Sequence, residues 1–415
     1  MTTHEQVIIV GAGHAAGELA TSLRNHGWEG GIIMIGDEPH IPYQRPPLSK
    51  GYFSGEIQTE ALYLKPRSTY DEAGIELLLG VSVQNIDRQA KRVTLSDGRV
   101  LDYSKLALTT GGRPRRLQIK GADLAEKTEN FHYLRTIADV QRIHSQMKPG
   151  LRLVIVGGGY VGLEVAAAAT KKGMHVTVLE TAPRVLARVT APEISLFYER
   201  VHREAGVSIH TGVEVQALEV DNSQDAVTAV LCSGGFRVEA DVVIAGIGLI
   251  PNTELAQAAG LAVNNGIEVD EYACTADESI VAAGDCTSHP NAKLGRRLRL
   301  ESVPNAVEQA RTAAASICGK REAYNAVPWF WSDQYDLKLK MAGLSAGFDQ
   351  LVVRGSTETR SFSAFYLKEG VIIAADTVSR PAEFMIAKRL ISDKARLSAE
   401  SLADQRLNLK DLLPV

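Results

Sequence analysis

The chain is poor in cysteine. Four thiols, Cys232, Cys274, Cys286 and Cys318, stand among 415 residues, and no two form Cys-x-x-Cys. A redox disulfide and a zinc site are therefore poorly supported, and single buried thiols in a reducing compartment are expected. The 10 histidines show no metal-ligand spacing, so no metal is expected. No apolar run reaches the roughly 18 residues of a membrane-spanning helix. Met1–Glu5 runs straight into an apolar segment and leaves no room for a signal peptide, so the expected compartment is the cytoplasm. Basic residues are not in excess: 45 Lys and Arg against 49 Asp and Glu leave a net charge of −4. That balance argues against a nucleic-acid binder and against bulk attraction to anionic membranes, but leaves room for a locally basic docking face. A low-complexity linker and a readable Ser-His-acid arrangement are also missing.

What the chain does contain is glycine in two ordered turns. Gly11-Ala12-Gly13-His14-Ala15-Ala16-Gly17 follows the apolar run Val7–Val10, and Gly157-Gly158-Gly159-Tyr160-Val161-Gly162 follows Leu153–Val156. Each run reads as a buried strand, and each turn opens an alanine- and leucine-rich stretch that reads as a helix. A helix start offers unpaired N–H groups and about half a unit of positive charge to a pyrophosphate, provided no Cβ blocks the approach. The first glycine makes the turn, the second clears the approach, and the third lets helix pack on strand. These places fall to Gly11, Gly13 and Ala16, where alanine is tolerated, and to Gly157, Gly159 and Gly162. Two such turns suggest two dinucleotides, one donating electrons and one accepting them.

An acidic residue about 20 positions on, at the end of the second strand, completes such a site by accepting the ribose hydroxyls. Asp37 ends Ile32–Asp37, and Glu180 ends Val176–Glu180. Glu180 would repel a 2′-phosphate by roughly 1–4 kcal/mol and so favours NADH over NADPH; Arg184 and Arg188 stand nearby and could soften the preference.

Strand and helix patterns alternate from Val7 to about Leu79, as in a parallel sheet with crossover helices. Short antiparallel strands are expected from Val83 to Asp102 around Ser96-Asp97-Gly98. A second alternating unit begins at Leu151, with its own antiparallel insertion from Val213 to Ala240 turning at Ser233-Gly234-Gly235. Pro251-Asn252 reads as the crossing back to the first domain. From about Val327 the pattern changes to an antiparallel sheet, then to helix from Pro381 to the end. The expected fold class is α/β: two Rossmann-like dinucleotide-binding domains, glutathione-reductase-like, plus a C-terminal α+β interface domain. The expected boundaries are 1–116 with 247–326 for a discontinuous domain holding the first turn, 117–246 for a domain holding the second and 327–415 for the C-terminal domain.

Two further segments decide which turn takes the flavin. Leu106–Pro114 contains Thr109-Thr110-Gly111, and Thr275–Asp285 ends in Gly284-Asp285. These resemble the accessory signatures of the two-dinucleotide flavoprotein reductases, where the aspartate bonds the flavin ribityl chain; the usual Ala-Thr-Gly reads Thr-Thr-Gly here. The resemblance assigns FAD to the first turn and NADH to the second. Pro42-Tyr43-Gln44-Arg45-Pro46-Pro47-Leu48-Ser49-Lys50, Gly157–Glu164, Val185–Val189, Glu301–Ala306 and Pro328–Tyr335 resemble the NADH-dependent ferredoxin reductases that serve bacterial oxygenases, over nearly the whole chain. This implies passage of electrons from NADH through FAD to a 2Fe–2S ferredoxin feeding a haem-thiolate monooxygenase or a Rieske-type dioxygenase. It implies FAD contacts at Ala15, Asp37, Lys50, Val83, Arg135, Asp285 and Val303, beside those of Gly11, Gly13, Ala16, Thr110, Gly111 and Gly284, with Arg45 and Trp331 as added candidates. NADH would meet Gly157, Gly159, Gly162 and Glu180, and Tyr160 would border the nicotinamide pocket and could cover the flavin when NADH is absent.

Hydride transfer needs position more than acid–base groups. Lys50 at the flavin edge would stabilise reduced, anionic flavin, and Glu164 could pair with it and touch the carboxamide; both are named as catalytic. Ferredoxins are usually acidic, so Arg311, Lys340, Lys388 and Lys410 are candidate docking cations, and Trp331 reads either as core or as part of the exit route. A monomer or weak dimer is expected. Alternatives are an NADH oxidase, a nitrite-reductase-type flavoprotein, a rubredoxin reductase, or a redox-sensing interaction protein like the apoptosis-inducing flavoproteins.

Overall fold

The computed structural model describes residues 5–221, 223 and 225–413; Met1–His4, on which the reading of a missing leader rests, lies outside the described residues. The chain forms two compact units, residues 1–44, 60–113 and 250–328, and residues 45–59, 114–249 and 329–415.

The first unit is built on a parallel sheet in the order Ile280–Ala282, Lys105–Leu108, Gln6–Val10, Gly31–Gly36, Ile75–Leu79. Its central strand is apolar on both sides because both faces are covered. Val7 and Ile9 point to the helices His14–Asn25 and Val303–Ile317, whose Ala16, Leu19, Leu23, Ala310 and Ala313 share that core. Ile8 and Val10 point the other way, to Ile86, Val93 and Leu95 of an antiparallel ribbon. Strand alternation thus divides one tetrapeptide between two cores. The ribbon comprises Val83–Asp87, Arg92–Leu95 and Val100–Asp102, and its second turn carries Gly98 at φ +86°.

The second unit repeats the plan. Its parallel sheet runs Ser208–Thr211, His175–Glu180, Arg152–Val156, Val242–Ala245, Phe131–Tyr133, with an antiparallel ribbon of Val215–Asp221, Ala226–Cys232 and Arg237–Glu239. The helix Tyr160–Lys171 is buried almost all round. It packs on its sheet, on the strand Trp329–Gln334 and on the turn 46–54, and the small residues Gly162 and Ala166–Ala169 allow the close approach. An antiparallel sheet follows in the order Trp329–Gln334, Leu337–Gly343, Val371–Val378, Ser361–Lys368, Gln350–Ser356. Residues 45–59, placed in the first nucleotide domain on sequence, cluster with this unit.

The C-terminal segment, expected to be helical from Pro381 to the end, is helical only in part. The helix from Pro381 stops at Ser392, Lys394 adopts φ +50°, and only the short turns Ala399–Ala403 and Leu409–Leu412 follow. The helix closes on its own backbone: the Lys394 N–H donates to the Ile391 carbonyl (3.2 Å) and the Ala395 N–H to that of Leu390 (2.9 Å). In the segment beyond, the buried Arg354 guanidinium donates to the carbonyls of Leu402 (3.3 Å), Asp404 (2.5 Å) and Leu407 (2.7 Å), and to Glu383 (3.1 Å), holding that irregular stretch against its sheet.

Candidate active site

In the first unit Gly11 sits at φ +110°, and a Cβ there would lie 2.3 Å from the Thr109 carbonyl oxygen. Gly13 caps the following helix without a side-chain partner, no acid occupies the first turn, and a Cβ on Gly13 would meet nothing within 4 Å. The helix N–H groups therefore face open space, while Ala16 at the third place is fully buried against the sheet. Gly284, at φ +89°, brings a second strand end to the same helix start, its Cβ direction 3.3 Å from Ala15 Cβ. Its N–H donates to Gln309 Oε1 at 2.9 Å, leaving Asp285 next to the turn. Gly36, just before the exposed Asp37, passes so close that a Cβ would lie 2.5 Å from Ala12 Cβ. Thr110 donates to the Asn252 carbonyl at 2.6 Å, and Gly111 turns at φ +62°. Val83 and Val303 start a strand and a helix of this unit. An open, uncapped helix start ringed by glycines fits a dinucleotide pyrophosphate. The other flavin candidates, Arg45, Lys50, Arg135 and Trp331, belong to the second unit.

The second turn has the same construction. A Cβ on Gly157 (φ +115°) would lie 2.4 Å from the Gly246 oxygen and one on Gly162 2.1 Å from the Gly157 oxygen, whereas Gly159 again faces open space. Glu180 braces the turn: Oε2 accepts the Gly158 N–H at 2.7 Å and Oε1 the Ala182 N–H at 2.8 Å. Of the two nearby arginines, Arg184 is committed elsewhere, donating to Ser195 Oγ at 2.5 Å and to the Ala187 carbonyl at 2.9 Å. Arg188 is exposed.

Lys50 and Glu164 meet. Lys50 Nζ lies 2.8 Å from Glu164 Oε2, with side chains 18% and 3% exposed. Ser49 Oγ donates to the same oxygen at 2.5 Å and Ser332 Oγ to Oε1 at 2.6 Å. Burial raises the Glu164 carboxyl above its ordinary value, opposed by the Lys50 charge and hydrogen bond and by the two serine hydroxyls. Burying such a pair is a poor route to stability, so its presence points to chemistry. Sequence reasoning missed Ser49 and Ser332, although both stood inside quoted motifs. Tyr160, first residue of the same helix, packs against Phe330 with ring centroids 4.9 Å apart and planes tilted by 40°, and donates to Met341 Sδ. Arg45 Nη1 donates to the Arg135 carbonyl at 2.8 Å, joining those two candidates.

The docking candidates separate. Trp331 and Lys340 oppose each other across an antiparallel pair. Lys340 Nζ lies 5.3 Å from the Phe384 ring centre, and Lys388 Nζ lies 5.3 Å from that of Trp329, itself 5.7 Å from Trp331. Met385 of the same helix is 64% exposed. Lys410 lies in the last short turn, and Arg311, in the first unit, pairs with Glu18 at 2.6 Å. Burial raises the thiols of Cys232, Cys274, Cys286 and Cys318, and no group of metal-ligating side chains occurs among the described residues.

Residues 5–310 match the pyridine nucleotide-disulphide oxidoreductase family, and residues 329–413 match the reductase C-terminal family. The chain belongs to the pyridine nucleotide-disulphide oxidoreductases. Within this family it is similar to putidaredoxin reductase CamA of Pseudomonas putida, at 51% identity over 100% of this chain and 98% of that protein. Rhodocoxin reductase of Rhodococcus erythropolis is 43% identical over 97% of this chain and 93% of its own. The crystal structure of the covalent putidaredoxin reductase–putidaredoxin complex contains a chain that matches with TM-score 0.95 at 51% identity, over 98% of both chains. Family membership agrees with the expected fold class and with FAD and NADH as the cofactors. No helix among the described residues is long and apolar enough to cross a membrane.

Proposed function

We propose that this chain is an FAD-dependent NADH:ferredoxin reductase that hands electrons singly to a 2Fe–2S ferredoxin serving a haem-thiolate monooxygenase. The buried Lys50–Glu164 pair, in a chain with two open glycine cradles, carries the reading. The names of the relatives, reductases of putidaredoxin and rhodocoxin, support it. Bound FAD supplies what no side chain can, acceptance of an electron pair as hydride and release one electron at a time. The protein's task is holding and tuning. Backbone N–H groups at Gly11–Ala16 and Gly157–Gly162 hold the two pyrophosphates, and Asp37 and Glu180 take the ribose hydroxyls. Lys50 supplies positive charge where reduction adds negative charge, and Glu164 fixes its position. Trp331, Lys340 and Lys388 form the docking face, and Lys410 and Arg311 are further candidate docking cations. The assignment keeps a flavin domain at 1–116 with 247–326, an NADH domain at 117–246 and an interface domain at 327–415. Four unpaired cysteines fit a cytoplasmic protein, working as a monomer or weak dimer.

The test couples NADH oxidation to cytochrome c through a purified 2Fe–2S ferredoxin. Cytochrome c reduction must depend on the ferredoxin, and a rate unchanged by adding it would overturn the assignment. Lys50→Ala should slow flavin reduction in stopped flow by about tenfold, roughly 1.4 kcal/mol; a rate within about twofold of the parent would remove Lys50 from the mechanism.

A further inference from the structure

Behind Glu164 runs a buried file of polar side chains that the reaction described above does not use. Ser332, Gln334 and His202 are each no more than 1% exposed. Ser332 Oγ donates to Glu164 Oε1 at 2.6 Å, Gln334 Nε2 to Ser332 Oγ at 3.1 Å, Gln334 Oε1 lies 2.9 Å from His202 Nε2, and His202 Nδ1 lies 3.1 Å from the Tyr335 hydroxyl.

The proton positions in this file follow from its end. An ionised carboxylate only accepts, so the Ser332 proton is committed to Glu164. Ser332 Oγ must then accept from Gln334, which turns its amide carbonyl toward His202. His202 therefore carries its proton on Nε2, and Nδ1 accepts from Tyr335. All donors point the same way, and bonds aligned like this polarise one another. An amide in the middle makes the file a poor proton conductor but a good orienting device.

A second observation comes from the backbone. Tyr335 begins the two-residue loop between the strands Trp329–Gln334 and Leu337–Gly343, and it sits at φ +56°. That place favours glycine or asparagine, and a bulky aromatic there is strained. The strain aims its ring at His202, 5.0 Å between centroids, and its hydroxyl at Nδ1. Strain retained for a contact is a pointer to function.

We propose that Tyr335, His202 and Gln334 are positioning residues that lock the Ser332 hydroxyl onto Glu164, keeping that carboxylate ionised and Lys50 in register for flavin reduction. The proposal rests on the Lys50–Glu164 reading given above. The remaining surroundings are consistent with it. Lys50 is the cation beside Glu164, and the hydroxyls of Tyr160 and Tyr198, pushed well above their ordinary range by burial, stay neutral. His202 is lowered to about 4 by burial and is neutral too.

The test uses the FAD-loaded protein carrying Tyr335→Phe, His202→Phe or His202→Gln. Infrared difference spectra in H2O and D2O report protonated carboxyl groups, with Glu164→Gln identifying the Glu164 band. Tyr335→Phe and His202→Phe should raise that band at neutral pH. Flavin reduction by NADH should slow about fivefold in both, with NADH KM unchanged, the size expected of coupling carried through a hydrogen-bonded network. His202→Gln keeps an N–H donor facing Gln334 and should restore the parent spectrum and rate. A Glu164 band unchanged in Tyr335→Phe, which loses only a hydroxyl and keeps the fold, overturns the proposal whatever the rates do. A raised band with an unaltered rate upholds the file and overturns instead the role of the Lys50–Glu164 pair at the flavin.

Discussion

Asp376 offers a quantitative test of how the C-terminal sheet is held. Its carboxyl is 3% exposed, accepts the Tyr366 hydroxyl at 2.5 Å, and Tyr366 in turn accepts the Ala191 N–H at 3.0 Å. Burial pushes the carboxyl from 3.8 to about 7 in spite of that hydrogen bond. A raised carboxyl means the folded state keeps a proton the unfolded chain has released. Stability is therefore highest below the unfolded value and falls as pH rises from about 4 to about 7. Some three units at about 1.4 kcal/mol each amount to about 4 kcal/mol lost by pH 8. Asp376→Asn is neutral at every pH and keeps a carbonyl for Tyr366. Between pH 5 and 8 its stability relative to the parent should climb by about 3 kcal/mol, or roughly 6–10 °C in Tm for a unit of this size. Calorimetry of the FAD-loaded proteins at one scan rate, at pH 5, 6, 7 and 8, reads this directly. A Tm difference that stays constant across the series would refute the reasoning, because only a titrating group can make it vary.

Gly13→Ala and Gly159→Ala add a methyl that meets no protein atom within 4 Å; the apoprotein Tm should hold, while the first variant loses FAD on gel filtration and the second raises NADH KM, and normal retention and KM would show that nothing binds there. Glu180→Ala removes two N–H acceptors from the second turn and should raise NADH KM about tenfold at little cost in kcat while narrowing the preference over NADPH; an unchanged KM ratio for the two nucleotides would deny Glu180 the ribose role. Lys340→Gln with Lys388→Gln should raise the ferredoxin KM and flatten its dependence on ionic strength, and a salt profile parallel to the parent's would take both lysines out of the docking face.

The construction of the two glycine turns was legible in the sequence. Gly11, Gly13, Ala16 and Asp37, and likewise Gly157, Gly159, Gly162 and Glu180, each lie within one strand–turn–helix–strand segment, where spacing alone sets which backbone groups converge. The Lys50–Glu164 pair was expected as well, Lys50 as a flavin contact implied by the resemblance and Glu164 from its place two residues past Gly162. At the C-terminus the helical pattern after Pro381 is interrupted at the left-handed Lys394, and Arg354, on a distant strand, holds the carbonyls of Leu402, Asp404 and Leu407 in the segment that follows. Arg184 likewise looked free to soften the preference at Glu180 until Ser195 and the Ala187 carbonyl claimed it.

By itself, then, the amino-acid order determined where the two open, uncapped helix starts lie, because covalent geometry and the 2.0- and 3.6-residue periods act over a few neighbours. Only the tertiary structure decided what surrounds Glu164: Ser49 stands 115 residues before it and Ser332 168 after. Which hydroxyls share a buried carboxylate depends on how helix and sheet pack, and that information is spread over the whole core and written in no single stretch of chain.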